Sequence, residues 1–118
     1  MKFMFIVKSA HVMGPSLELL EAMHKLANRE IEAGRLLDNG GLTPIAMGAQ
    51  VRIADGRLTV IDGPFAETKE VVGGYAVFEL KNKDEAVASA VEFMQLHKDH
   101  LPGWEGTCEV RAFAPGGP

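Results

Sequence analysis

The chain has 118 residues, of which 47% are hydrophobic and 24% are charged, and its formal net charge is −4. This length fits a single domain spanning residues 1–118, and the apolar content excludes a disordered chain. The mild acidity and the scattered basic residues argue against nucleic-acid binding, and no segment is apolar for long enough to be a signal peptide or a membrane span. The single cysteine, Cys108, cannot form an internal disulfide, so we expect a small cytoplasmic protein.

The start of the chain predicts a strand followed by a helix. Phe3–Val7 is a short run of aromatic and β-branched residues, which is typical of a strand. From Leu17 onward, apolar residues recur at steps of three and four, as one face of a helix requires. Ser16 is suited to cap the start of this helix, and Gly34 is suited to end it in a left-handed conformation.

The middle of the chain predicts an irregular segment and then a hairpin. Leu36–Pro44 is rich in glycine, and its Asn39-Gly40-Gly41 sequence indicates a turn. Asp55-Gly56 is typical of a two-residue hairpin loop. The resulting register pairs apolar residues with apolar ones and polar with polar: Ile53 with Leu58, Arg52 with Thr59, and Val51 with Val60. A slip of one residue would destroy this match, so the register is a specific prediction.

The last part of the chain predicts a strand, a helix and a final strand. Turn residues and a capping asparagine separate these elements, and the second helix has an apolar stripe of its own. We expect, in order, a strand at Tyr75–Leu80 opened by Gly73-Gly74, a helix capped by Asn82 and closed by Pro102-Gly103, a strand at Thr107–Phe113, and a flexible tail over residues 114–118.

The order of the elements predicts an α+β fold. Strand, helix, hairpin, strand, helix, strand is the pattern of a ferredoxin-like antiparallel sheet with both helices on one face. The strands do not alternate cleanly, however, because Met4 and Ile6 as well as Ala76 and Phe78 are apolar, and two helices cannot cover all four. A second copy of the chain would cover the remaining face, so we expect a homodimer. The alternative is a monomer with an apolar patch for a ligand or lipid.

The histidines are the first candidates for chemistry. His97 and His100 stand three residues apart on the second predicted helix, close enough to share a metal ion. No third ligand follows at a recognisable spacing, so we interpret them as basic residues near the helix C-terminus, where the helix dipole favours positive charge. His24 lies beside the apolar face of the first helix, where it could serve as a general base. The sequence has no glycine-rich nucleotide-binding motif, and we expect neither a metal nor a cofactor.

The segment Asp62–Glu70 is the most unusual local feature of the sequence. It begins with the turn sequence Asp-Gly-Pro at 62–64, and an aromatic ring at Phe65 stands beside the charges of Glu67 and Lys69. A turn between two strands explains this composition. A small-molecule pocket, which needs an aromatic wall and a few polar groups, explains it as well. Both interpretations stay open at this point.

The same segment carries a resemblance to a known family. Val60–Glu70 (VIDGPFAETKE), followed by Val72–Tyr75, resembles the signature of the DGPF branch of the YCII-related proteins, and shorter matches extend over nearly the whole chain. The resemblance implies a ferredoxin-like fold that pairs into a dimeric α+β barrel. The wider superfamily includes cofactor-independent isomerases, monooxygenases and dechlorinases, and DGPF proteins tend to be encoded beside extracytoplasmic-function sigma factors.

Two functions follow from this resemblance as expectations. The first is a homodimeric, cofactor-independent enzyme with a small-molecule pocket near Asp62, in which Asp62 is the acid or base. His24 lies on the helix where the family's His–Asp branch carries its histidine, and Asn28 is the alternative matching position. The residues expected to contact the substrate, a small anion, are Arg52, Phe65, Glu67, Lys69 and Asn28. The second function is a non-catalytic binding or regulatory module that acts with an extracytoplasmic-function sigma factor.

Overall fold

The structure, a computed structural model, describes residues 1–10, 14–63 and 70–116. It contains six strands, two α-helices and one short 3₁₀ helix in these ranges. The elements are β1 (Lys2–Ser9), α1 (Leu17–Glu32), β2 (Leu36–Gly41), the 3₁₀ helix (Ile45–Met47), β3 (Ala49–Ala54), β4 (Arg57–Asp62), β5 (Val71–Glu79), α2 (Lys83–His100) and β6 (Thr107–Ala112).

Four of the strands form one antiparallel sheet in the order β2-β5-β1-β6. Leaving out β3 and β4, the chain runs strand, helix, strand, strand, helix, strand, and this strand order is compatible with a ferredoxin-like fold. The α+β prediction is therefore confirmed. β3 and β4 pair only with each other, as a separate two-stranded sheet that we call the arm.

The core lies between the four-stranded sheet and the helices. Phe3 and Phe5 project from one face of β1, and the Phe5 ring packs against the Phe78 ring of β5 with the ring centres 4.6 Å apart. Ala86 and Ala90 of α2 complete this buried cluster, and α1 packs against the same cluster through Ala27. Both helices therefore lie on one face of the sheet, as the sequence predicts.

Both predicted helix caps are confirmed, and the first one also joins the two helices. The hydroxyl of Ser16 accepts a hydrogen bond from the backbone N–H of Leu19 at 3.1 Å and donates one to the carbonyl of His100 at 2.7 Å. The side chain of Asn82 accepts from the N–H of Glu85 at 2.9 Å. After α1, Gly34 adopts the left-handed conformation, with φ of 76°.

The prediction of an irregular segment over residues 36–44 is wrong for its first six residues. Residues 36–41 form β2, in which Gly40 pairs with Tyr75 and Gly41 pairs with Gly74. A Cβ atom on Gly74 would stand 3.1 Å from the carbonyl oxygen of Gly40, so the glycines permit two strands to approach where the local sequence indicated a turn. β5 also begins earlier than predicted, at Val71 instead of Tyr75, so the pair Gly73-Gly74 lies inside the strand.

The register of the arm is confirmed, but its surroundings were not foreseen. Ile53 pairs with Leu58, Arg52 with Thr59 and Val51 with Val60, and Asp55 and Gly56 both have positive φ, as a two-residue hairpin loop of this kind requires. Because side chains alternate along a strand, the apolar residues share one face and the polar residues share the other. The apolar face is exposed, since β3 and β4 do not join the main sheet: Val51, Ile53, Leu58 and Val60.

The face of the main sheet opposite the helices is also partly apolar. Met4 and Ile6 of β1 pair with Val77 and Tyr75 of β5, and we call these four half-buried side chains the open face. Ala76 and Phe78, which the sequence grouped with Met4 and Ile6, instead project toward the helices. Charged and polar pairs border the open face: Lys8 with Glu109 at 2.7 Å, and the Tyr75 hydroxyl with Asp38 at 3.0 Å.

Candidate ligand-binding site

A cavity of about 540 Å³ lies between α1, the main sheet and the end of α2. Its walls are largely apolar, with Phe5 of the sheet, Met23 of α1 and Trp104 after α2 among the lining residues. Gly40 and Gly74 are lining residues without side chains, and a Cβ atom on Gly74 would stand 3.1 Å from the Gly40 carbonyl oxygen. The sheet is therefore bare at this point, and α1 does not fill the space above it.

His97 is the most unusual polar residue in the wall of the cavity. It lies in the last turn of α2 and is only 7% exposed. Its ring packs between those of Phe93 and Trp104, with ring centres 4.6 and 4.7 Å away. Burial lowers the pKa of the His97 imidazole, so the ring is neutral near pH 7. His97 does lie in the last turn of α2, as the sequence predicts, but it is buried there and neutral instead of positively charged.

The chain reverses after α2, and this reversal brings Trp104 onto His97. Gly103 has φ of 86°, and the N–H of Trp104 donates to the carbonyl of Leu101 at 3.1 Å. A Cβ atom on Gly106 would collide with the Trp104 ring and stand 2.7 Å from the Lys8 carbonyl oxygen. Two glycines therefore permit the indole to cover one face of the imidazole.

Glu30 is the buried carboxylate of the cavity wall, and two arginines neutralise it. Arg35 donates to both carboxylate oxygens, from Nε at 3.1 Å and from Nη2 at 2.5 Å, and Nε of Arg29 lies 3.3 Å away. These guanidinium groups hold the pKa of Glu30 below its usual range despite its burial. Arg29 also makes a bidentate pair with Glu92 of α2, at 2.6 and 2.8 Å. Glu30 is therefore an anion near pH 7 and links α1 to Arg35, which directly precedes β2.

The residues that the sequence selected as a site lie in different parts of the structure. His24 lines the cavity from α1, whereas Asn28 is exposed on the same helix and does not line it. Asp62 is the last residue of β4, and Arg52 lies in the middle of β3. Both side chains are exposed, and neither lines the cavity. Because Asp62 pairs with Ala49, it shares the apolar face of the arm, while Arg52 lies on the polar face.

Phe65, Glu67 and Lys69 lie outside the described residues, as do residues 117 and 118 of the predicted tail. The roles expected for Asp62, Arg52 and Asn28 stay predictions.

The described residues also answer the questions that the sequence raised about cysteine, metals and membranes. Cys108 lies half-buried in β6, where burial raises the pKa of its thiol to about 11, so it is not a thiolate near pH 7. In the described ranges, no group of three or more histidine, cysteine or acidic side chains is placed to hold a metal ion. Neither described helix is long and apolar enough to cross a membrane.

Comparisons with known proteins agree with the resemblance seen in the sequence. The family model of the YCII-related domain matches residues 1–94. An uncharacterized protein of Rhizobium meliloti (strain 1021) is 30% identical over 96 residues, a match that covers 81% of this chain and 73% of the relative. The matched region includes α1 and most of α2, but it ends before His97 in the family model.

Proposed function

Because the chain belongs to the YCII-related family, we propose that it is a cytoplasmic homodimer in which each subunit binds a small molecule in the cavity between α1 and the sheet. The observation that carries the proposal is the cavity itself. A volume of about 540 Å³, largely apolar walls and a few buried polar groups are typical of sites for small organic ligands. His97 and Glu30 supply the buried polar groups.

The open face supports the proposed dimer. Its aliphatic side chains, Met4, Ile6 and Val77, lie at the centre of the sheet, and the pairs Lys8–Glu109 and Tyr75–Asp38 lie at its borders. An apolar centre with a polar rim is the usual anatomy of a protein interface. Both helices pack on the other face of the sheet, so a second copy is the covering that a closed two-fold assembly would provide.

In this proposal the protein is a DGPF-type, cofactor-independent enzyme, and Asp62 is its acid or base. Asp62 does not line the cavity of its own chain, but it lies on the apolar face of the arm. Covering that face with the second copy would bring Asp62 into the interface. We therefore assign Asp62 to the ligand of the partner subunit, with His24 contributed by that subunit's own α1.

Filling the cavity tests the proposed binding site. Ala27 lies on α1 and lines the cavity, whereas Ala88 is exposed on α2 and does not. In a screen of small aromatic and aliphatic molecules read by ¹H–¹⁵N spectra, we expect binders whose shifts fall on the cavity residues. Ala27→Leu should weaken them about tenfold, and Ala88→Leu should not. Binders that bind Ala27→Leu as tightly as the wild type would contradict the proposal, and so would a screen without binders.

A lysine in the open face tests the dimer. The wild type should sediment at twice the chain mass of 12.7 kDa at micromolar concentration. Ile6→Lys should produce monomers or unfolded protein, because the buried interface would contain an unpaired charge. Ala88→Lys, on an exposed helix surface, serves as the control and should remain dimeric. A monomeric wild type would disprove the dimer.

The exposed side of the arm favours a second candidate function. Its four apolar side chains offer a surface to a protein partner, as a regulatory module acting with an extracytoplasmic-function sigma factor would need. Hydrogen exchange in the isolated protein separates the two functions. Slow exchange of the β3 and β4 amides at micromolar concentration supports an arm covered by the second copy, whereas fast exchange supports an arm kept free for another protein.

A further inference from the structure

We propose that His97 selects the ligand of the cavity, and that this ligand is an uncharged, mainly apolar molecule whose hydrogen-bond donor is accepted by Nε2 of His97. This inference rests on the proposed function, since it requires that the cavity binds a small molecule. It differs from the expectation of a small anionic substrate that the charges around Asp62 suggested.

The surroundings of His97 determine which ring nitrogen can accept. Nδ1 lies 3.1 Å from the carbonyl oxygen of Phe93, one helical turn earlier, and a carbonyl oxygen only accepts, so Nδ1 carries the proton. In the neutral ring Nε2 is then an acceptor with a lone pair. The Phe93 and Trp104 rings both contact the imidazole, and these contacts together with the Nδ1 hydrogen bond favour this orientation of the ring.

Nε2 has no hydrogen-bond partner among the described residues and reaches open space. The hydrogen bond through Nδ1 is the one that the ring makes within the described ranges. Every buried side-chain nitrogen and oxygen in those ranges has a partner. Nε2 must therefore be accessible, and His97 is a lining residue of the cavity with only 7% of its surface exposed. A ligand that covers Nε2 without donating to it would leave a buried acceptor unmet, which costs free energy, so the site favours a ligand with a hydrogen-bond donor.

The charges of the cavity wall argue against an anion. In the described part of the chain, no lysine or arginine lines the cavity. Arg29 is paired with Glu30 and Glu92, and Arg35 is paired with Glu30. Glu30 is already paired with both arginines, so neither guanidinium group is left to bind an anionic ligand in the cavity. His24 is exposed at the cavity, where solvent screens it.

Three bicyclic probes test this inference: indole has an N–H donor, benzofuran has the same shape without the donor, and benzofuran-2-carboxylate is an anion. Titrations followed by NMR should give the wild type about a tenfold preference for indole over benzofuran and the weakest binding for the carboxylate. His97→Phe keeps a ring between Phe93 and Trp104 but has no acceptor. In this variant we expect indole and benzofuran to bind equally, with benzofuran unchanged. His100→Phe, the same substitution three residues later and outside the cavity lining, should keep the preference.

Each result decides between the inference and the proposed function. Equal binding of indole and benzofuran to the wild type, a preference that survives in His97→Phe, or tightest binding of the carboxylate would overturn the role of His97 while leaving a ligand-binding cavity. If none of the probes binds and the fragment screen also finds no binder, both proposals fail. Should His97→Phe not fold, the ¹⁵N resonances of the wild-type imidazole decide: indole should shift Nε2 and leave the protonated Nδ1 nearly unchanged. An unshifted Nε2 in the presence of bound indole would overturn the inference.

Discussion

In the body of the molecule, which consists of the main sheet and both helices, Phe3 and Phe5 are 2% and 3% exposed. In the arm, Ile53 and Leu58 are each 73% exposed. Both regions consist of antiparallel strands in which apolar residues pair across the ladder, so the local pattern is the same. What differs is that helices cover the strands of the body, while nothing in the described chain covers the apolar side of the arm. Alternation along a strand therefore predicts pairing, but burial depends on what packs against the face.

The overall dimensions also reflect an arm that does not pack against the body. The radius of gyration is 16.0 Å, whereas a compact domain of this length is expected near about 13.5 Å. An isolated two-stranded hairpin is at best marginally stable in water. The ladder of the arm continues one pair beyond its strands, where the N–H of Gly63 donates to the carbonyl of Gly48 at 2.8 Å, and a Cβ atom on Gly63 would collide with the carbonyl oxygen of Ile45. Gly63 is the glycine of the Asp-Gly-Pro-Phe sequence, and the close approach of the Ile45 backbone explains why this position has no side chain.

The largest effect is expected from truncating a phenylalanine in the body. Phe5→Ala removes a ring that is packed between both helices and the sheet, and it should lower the free energy of unfolding by about 3–5 kcal/mol in urea denaturation. Phe113→Ala is the matched control, because Phe113 lies after β6 with 45% of its surface exposed and should cost less than about 1 kcal/mol. Similar losses in the two variants would contradict a core confined to the body.

The second effect concerns the buried carboxylate of the body and has a defined pH dependence. Glu30→Gln should lower the free energy of unfolding by about 2 kcal/mol at pH 7, because hydrogen bonds to a charged group are lost. Since the folded state lowers the pKa of Glu30, its stabilisation is fully present above the unfolded pKa, near about 4.3, and is lost as the pH falls through the folded pKa.

Urea denaturation between pH 7 and pH 3 checks the sign. The difference between the wild type and Glu30→Gln should be largest near neutral pH and should shrink in acid. Glu32→Gln, an exposed substitution on the same helix, is the control and should follow the wild type at every pH. A difference that grows as the pH falls would show that the Glu30 carboxylate does not stabilise the fold.

The third effect distinguishes the two sides of the arm. Leu58→Ser removes an apolar side chain from the face that we propose the second copy covers, and burial of a leucine contributes about 1.5–3 kcal/mol. The dimer dissociation constant should therefore rise about tenfold or more in sedimentation experiments. Thr59→Ser, one residue later and on the polar side, should leave it within about twofold. If Leu58→Ser dimerises like the wild type, the arm does not contribute to the dimer.

Local sequence rules were sufficient for most elements and for the arm's register, and they failed where distant residues decide. Ser16, Asn82 and the Asp55-Gly56 loop act on neighbours within a few residues, so their roles could be predicted. Asn39-Gly40-Gly41 has the composition of a turn, yet it lies in β2 because Tyr75 and Gly74 of β5 pair with it. Likewise, no local signal indicates that β3 and β4 remain apart from the main sheet.

The candidate site was harder to predict because its members are joined by packing. His97 has the sequence context of a solvated helix end, and its burial depends on Trp104, which reaches it only through the turn at Gly103. The spacing of Phe93 and His97, one helical turn apart, was a usable signal, as was the single tryptophan directly after Pro-Gly. Glu30 offered no signal beyond its neighbours Arg29 and Arg35, since any exposed helix face has similar charges.

The smallest change in stability is expected for Asp62, where the arm and the chemistry meet. Asp62 is exposed at the end of β4, so Asp62→Asn should alter the free energy of unfolding by about 1 kcal/mol or less and leave the dimer intact. If Asp62 acts as an acid or base on the partner subunit's ligand, however, Asp62→Asn keeps the shape of the side chain but removes its ability to take up or release a proton. Turnover of a molecule found by the screen should then fall about 100-fold while its binding stays within about twofold. Asp55→Asn, in the hairpin loop of the same arm, should leave turnover unchanged. Normal turnover by Asp62→Asn would remove the chemical role and leave Asp62 as the residue that ends the arm.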